Sequence, residues 1–162
     1  MGTHSLSISR RVALALGALL FGRTAASAAK PVTVLFVCQG GTVKSPIARE
    51  HMRRMAAARG IAVNALSRGI TPEDHMTPQL AAALKADGID ISSEPVLALS
   101  AADLTAADVI VVFNPLPASF GVWRVRDWSD MPSMNENYAA ARAVLLARLE
   151  ELLRELKPAG GS

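Results

Sequence analysis

One cysteine, Cys38, stands in the run Cys38-Gln39-Gly40-Gly41-Thr42-Val43-Lys44-Ser45. A buried-looking stretch precedes it and a helix-like one follows. Two glycines let the backbone turn tightly, so the N–H groups of residues 39–44 can converge on one point. The orphan amides of the following helix start add to that. A tetrahedral oxyanion would be held there, with Lys44 as a mobile point charge. The same surroundings would activate Cys38 as a nucleophile, and Ser45 could donate to the sulfur or cap the helix. The residues leave open a plainer reading, a glycine-rich strand-to-helix turn around an inert core cysteine. They exclude a Walker-type nucleotide loop, which needs glycines where this chain has Val43 and Cys38.

With one cysteine there is no internal disulfide, no two-cysteine redox relay and no cysteine-rich metal site. His51 falls on the apolar face of the helix after the loop and reads as a packed residue. His75 sits in a polar stretch beside Glu73 and Asp74, where surface carboxylates near a histidine are ordinary. No metal site and no cofactor are expected. Arg53, Arg54, Arg124 and Arg126 read as solvated faces. Arg68 closes a second strand on the same sheet edge as Cys38 and is a candidate auxiliary anion contact.

The elements that must position this loop follow from periodicity. Val32 to Val37 is a short, nearly continuous β-branched run, as in a strand covered on both faces. Residues 45–59 show helical spacing through Ile47, His51, Met55 and Ala58, and Gly60 suits a C-cap. A second strand is predicted from about Ala62 to Ser67, ending at Arg68-Gly69. Thr77-Pro78 opens a helix that runs to Asp87-Gly88. Residues 101–107 form a short helix, 109–113 a third strand ending at Asn114-Pro115, and Val122 to Val125 a fourth. Tyr138, Ala141, Leu145, Leu149, Leu152 and Leu156 draw one apolar stripe along the last helix. The order predicts an α/β fold of three layers, a central, mostly parallel, four-stranded sheet with helices on both faces. Ligands of such sheets sit beyond the carboxyl ends of the strands, where Cys38 lies.

Residues 1–29 read as a signal peptide. Arg10-Arg11 is the basic start, Val12 to Phe21 the apolar centre and Ala25 to Ala29 the small-residue cleavage region. The arginine pair also suits a twin-arginine signal. Ten apolar residues are too few to span a bilayer, which needs about 20. The expected product is one periplasmic or secreted domain, residues 30–158, with a disordered tail at 159–162 and no membrane attachment after cleavage. Of 17 Lys+Arg and 14 Asp+Glu, the leader removes three arginines and no acid, leaving the domain near neutral. Nothing in that balance points to nucleic acid.

Val34 to Cys38 followed by Lys44-Ser45-Pro46-Ile47-Ala48 closely resembles the signature loop of the low-molecular-weight tyrosine phosphatases and their arsenate-reductase relatives: cysteine, five residues, arginine, serine. The likeness continues through Ser67-Arg68-Gly69-Ile70, Gly88-Ile89-Asp90-Ile91 and residues 109–113. It ends at the loop Trp128-Ser129-Asp130-Met131-Pro132. The resemblance implies a phosphomonoester hydrolase of the protein-tyrosine-phosphatase type. Cys38 would attack phosphorus to form a phosphocysteine, the amides of Gln39, Gly40, Gly41, Thr42, Val43 and Lys44 would hold the oxygens, and Ser45 would tune the sulfur. Asp130, with Asp127 as alternative, would protonate the leaving group and then activate water. The partner would be phosphate or a similar oxyanion, or a phosphorylated small molecule or protein.

The chain departs from that pattern at three points. Lys44 replaces the arginine whose planar fork grips a phosphoryl group. Gly41 replaces the asparagine that braces the loop. No aromatic pair follows Pro132 to grip a phosphotyrosine ring; Tyr138 is expected to pack the last helix, and Trp123 and Trp128 are either core or cleft residues. These departures motivate alternatives: an oxyanion-binding protein with weak or no turnover, or an arsenate reductase served by an external thiol.

Overall fold

The computed structural model describes residues 30–121 and 123–156. The export signal assigned to residues 1–29 and the tail at 159–162 lie outside them. Strand β1 (Val32–Cys38) leads to helix α1 (Lys44–Ala58), then β2 (Val63–Gly69), α2 (Pro78–Ala86), α3 (Ala101–Ala106), β3 (Val109–Val112), β4 (Arg126–Asp127) and α4 (Tyr138–Leu156). The sheet has the order β2-β1-β3-β4 and every pairing is parallel. Among the described residues no helix is long and apolar enough to cross a membrane.

β1 is central, and its alternation divides the core. Val34 and Phe36 point with Val111 and Phe113 toward α1, α2 and α4, where Ile47, Met52, Leu80, Leu84, Leu145 and Leu149 meet them. Leu35 and Val37 point the other way with Ile110 and Val112, against Leu99 and Leu104 around α3. Burial on both faces accounts for the continuous apolar runs in β1 and β3. α1 turns its Ile47, Ala48, His51, Met52 and Ala56 face inward, while Ala58 is exposed. α2 begins with Thr77, whose side chain accepts from Leu80 N, and with Pro78 in the first turn. The three-layer α/β architecture expected from the sequence is present.

The fourth strand differs from expectation. Residues 123–125 are not in the ladder, and β4 is the two-residue segment Arg126–Asp127 paired with Val111 and Val112. A 3₁₀ turn at Ala118–Phe120 and the positive φ of Gly121 (78°) bend the chain before it reaches the sheet. The Trp123 indole N–H then donates to Phe120 O at 2.6 Å, so Trp123 and Val125 pack against the α3 side from irregular backbone. β2 ends at Gly69, as the sequence predicts, with Arg68 and Gly69 paired with Val37 and Cys38.

Candidate active site

Cys38 ends β1, the central strand, and its side chain is buried. The chain then crosses the end of β2 and enters α1 at Lys44. Gly41 takes φ +71°, and a Cβ there would lie 2.8 Å from Gly69 Cα; the loop rests directly on the end of β2. Further ties fix it: Ile70, Thr71 and Glu73 donate their N–H groups to the carbonyls of Cys38, Gln39 and Gly40. The loop is thus braced from the β2–α2 connection, with Gly41 in place of an asparagine.

Among the described residues the sulfur makes two hydrogen-bond contacts, both with Ser45. The hydroxyl lies 3.1 Å from Cys38 Sγ, and the Ser45 N–H donates to it at 3.5 Å. Ser45 Oγ is also 3.2 Å from Arg68 O. The hydroxyl has one proton to give, to the carbonyl or to the sulfur. α1 has no side-chain cap, and no acid lies in its first turn. The N–H groups of residues 40–44 find no protein acceptor among the described residues. Uncapped amides beside a cysteine make an anion cradle. Gln39 is the exception, since its N–H donates to Asn114 Oδ1 at 2.9 Å.

Cys38, Gln39, Val43 and Lys44 line a cavity of about 330 Å³ together with His75, Asn114, Met131, Ser133, Met134 and Asn135. Lys44 donates from Nζ to Met131 O at 3.0 Å, joining the loop to the segment before α4. Burial pulls the Lys44 ammonium below its ordinary value, and negative charge at Cys38 and Asp130 opposes that pull.

Asp130 is near enough for its charge to act on Lys44, but neither it nor Asp127 is among the residues lining the Cys38 cavity. They line a separate cavity of about 290 Å³ with Arg126, Arg148, Glu151 and Glu155. Arg148 grips Asp130 with two bonds, 2.8 and 2.7 Å, and holds its carboxyl below the usual range. The Asp127 carboxyl is held low by Ser129, whose N–H reaches Oδ1 at 2.8 Å. The intervening residue explains the orientation. Met131 is buried in the core, so Asp130 is turned out toward α4. Arg68, the auxiliary candidate, is committed to Asp103 at 2.7 Å and to Ser67 O at 2.8 Å. Trp128 is core, packed between Phe36 and Phe113 at centroid distances of 6.3 and 6.0 Å. Among the described residues, no group of three or more His, Cys, Asp or Glu side chains forms a metal site.

Two cleft residues, Asn114 and His75, were not assigned to the site from the sequence. Asn114, next after Phe113 at the end of β3, stands at a strand end where ligands bind, and that placement was the available clue. His75 has none, because its position depends on the fold of the β2–α2 connection.

A similar fold occurs in known proteins. A family model described as low molecular weight phosphotyrosine protein phosphatase matches residues 33–116. No curated protein sequence matches the chain. Among solved structures, YfkJ from Bacillus subtilis is 20% identical, with a TM-score of 0.65 over 80% of this chain and 97% of its own. The arginine phosphatase YwlE, also of Bacillus subtilis and solved as a mutant with a phosphorylated active-site serine, is 22% identical, with a TM-score of 0.65 over 79% and 97%. A low molecular weight protein tyrosine phosphatase from T. tengcongensis is 27% identical, with a TM-score of 0.56 over 76% and 99%. With the matched segment running from β1 through β3 and carrying the whole cysteine loop, the chain belongs to the low molecular weight phosphotyrosine protein phosphatase family.

Proposed function

We propose that this chain hydrolyses phosphomonoesters, of small molecules or proteins, through a phosphocysteine. The observation that carries the reading is the pairing of Cys38 Sγ with Ser45 at the mouth of a cradle of unpartnered amides, residues 40–44, on the uncapped end of α1. In the first step the sulfur attacks phosphorus, an S–P bond forms and the bond to the leaving oxygen breaks. The amides and the α1 terminus stabilise charge on the equatorial oxygens, where it grows in the transition state. In the second step a water oxygen attacks phosphorus, the S–P bond breaks and phosphate leaves. A phosphorylated residue in the active site of the structural neighbour YwlE supports a covalent route on this fold.

The test is hydrolysis of para-nitrophenyl phosphate by the full chain with Cys38→Ser alongside. Turnover should fall by about 10⁴-fold or more in the variant. Acid-quenched wild type should carry one phosphoryl group on the Cys38 peptide by mass spectrometry. Turnover that survives in Cys38→Ser refutes the mechanism.

A second reading is favoured by a specific feature. The Lys44 ammonium is tied to Met131 O, and among the described residues no carboxylate side chain lines the Cys38 cavity. A cradle of this kind would bind phosphate or arsenate firmly and release product of hydrolysis slowly or not at all.

A further inference from the structure

A phosphatase that works by Cys38 attack must also give a proton to the leaving oxygen. Both loop aspartates line another cavity, and Asp130 is occupied by Arg148. In the Cys38 cavity the titratable side chains are Cys38, Lys44 and His75. Lys44 gives one of its three N–H groups to Met131 O and keeps its charge for the anion. Of the three, His75 is the side-chain type suited to give and take a proton near neutral pH, and it lines the same cavity as the sulfur.

Its surroundings hold it in a defined pose. The ring packs on the cysteine loop itself: a Cβ on Gly40 would lie 2.5 Å from His75 Cε1 and 2.6 Å from Nδ1. The Thr42 hydroxyl donates to Glu73 O at 2.8 Å. His75 Nδ1 is 3.2 Å from Thr42 Oγ1 and 3.1 Å from Glu73 O. Since the hydroxyl's one proton goes to the carbonyl, both contacts require Nδ1 to be the donor. Nε2 is left as the nitrogen that exchanges protons, the arrangement a general acid–base histidine needs. The backbone is fixed from the opposite wall as well. Asn135 Nδ2 donates to His75 O, and Asn135 Oδ1 accepts from Thr77 N, each at 3.0 Å. The histidine is clamped between the cysteine loop and the segment before α4.

Building on the phosphatase reading above, we infer that His75 is the general acid–base of the Cys38 site. As the sulfur attacks and the P–O bond breaks, the Nε2 proton passes to the leaving oxygen. The neutral imidazole then takes a proton from water as the water oxygen attacks phosphorus and the S–P bond breaks. His75 ends the cycle protonated, the Cys38 thiolate is restored and phosphate leaves as product.

The experiment compares kcat/KM for phenyl phosphate, whose leaving group needs a proton, with para-nitrophenyl phosphate, whose leaving group barely does. Wild type, His75→Gln and His75→Ala are used as full-length chains. With the acid removed, phenyl phosphate should lose about 10²- to 10⁴-fold, and para-nitrophenyl phosphate about tenfold or less. An equal loss on both substrates means His75 only props the loop and overturns the inference. So does a leaving-group-selective loss in Asp130→Asn with none in the His75 variants. Wild type inactive on both substrates overturns the phosphatase reading, and the inference with it; wild type active with unselective variants overturns the inference alone.

Discussion

Lys44 decides how far the cradle can act as a catalyst. An arginine at this position would present a planar fork to two phosphoryl oxygens, while an ammonium offers a point charge. Here that charge also has a structural task, because Nζ holds Met131 O and so ties the cysteine loop to the chain entering α4. Lys44→Arg should therefore raise kcat/KM on para-nitrophenyl phosphate by about tenfold, as a planar fork that can meet two phosphoryl oxygens replaces a point charge. Lys44→Ala should weaken phosphate binding, read by calorimetry, by about 10- to 150-fold, the loss of one charge-assisted bond. Firm phosphate binding with negligible wild-type turnover, rescued by arginine, would establish the binding reading over the catalytic one. The cysteine loop was legible in the sequence because it is local: eight consecutive residues carry the nucleophile, the glycines, the cation and the hydroxyl. Asn114 and His75 were not, because their roles arise from contacts 75 and 33 residues away in the chain, to Gln39 and Thr42. Asp130 shows the reverse case. Its motif was visible, but Arg148, 18 residues on, and the burial of Met131 decide where it points.

At the scale of elements, the short helix α3 does more than connect. Six residues cannot hold a helix by propensity, and α3 relies on a reciprocal cap. Ser100 Oγ accepts from Asp103 N at 3.2 Å, and Asp103 Oδ2 accepts from Ser100 N at 2.9 Å. The same carboxylate binds Arg68, whose own carbonyl meets Ser45 Oγ beside the sulfur. Asp103→Ala should thus cost about 1–2 kcal/mol through the cap and the ion pair, lowering Tm by roughly 3–8 °C. Thermal unfolding followed by circular dichroism checks this, and an unchanged Tm would show that the cap is idle. The elements themselves were legible where one period dominated. β1 and β3 are buried on both faces and read as unbroken apolar runs, and the α4 stripe repeats over five turns. The fourth strand was misplaced because Trp123 and Val125 are apolar for a different reason. They cover the α3 side as loop residues, while the ladder forms at the polar pair Arg126–Asp127, whose place is set by the register of β3.

At the scale of the molecule, α1, α4 and the end of α2 are joined by one polar cluster on the face away from α3. Tyr138 OH donates to Asp87 Oδ2 at 2.8 Å, Arg142 Nε donates to the same oxygen at 2.5 Å, and His51 Nε2 lies 3.4 Å from the Tyr138 oxygen. His51, Asp87 and Tyr138 are each held toward their neutral-pH form. Burial and the nearby Arg142 and Arg54 hold His51 below its ordinary value of 6.5, against the opposing charge of Asp87 and Glu50. The Tyr138 hydrogen bond, with Arg142, holds Asp87 below 3.8. Burial and the Asp87 carboxylate push Tyr138 above 10.0. For His51 and Asp87 the folded state binds fewer protons than the unfolded chain at acid pH, so their contributions are present above the unfolded values and lost as pH falls through the folded ones. For Tyr138 the contribution is present below 10.0 and lost as pH rises beyond it. Stability should therefore be flat between about pH 7 and 9, decline on acidification in two stages, and decline again in strong base. Urea unfolding across that range should show the first acid stage, below about pH 6.5, reduced in His51→Gln, and the second, below about pH 4, reduced in Asp87→Asn. Wild-type and variant curves that stay parallel from pH 8 to pH 3 would show that the three helices are held together by their apolar faces alone.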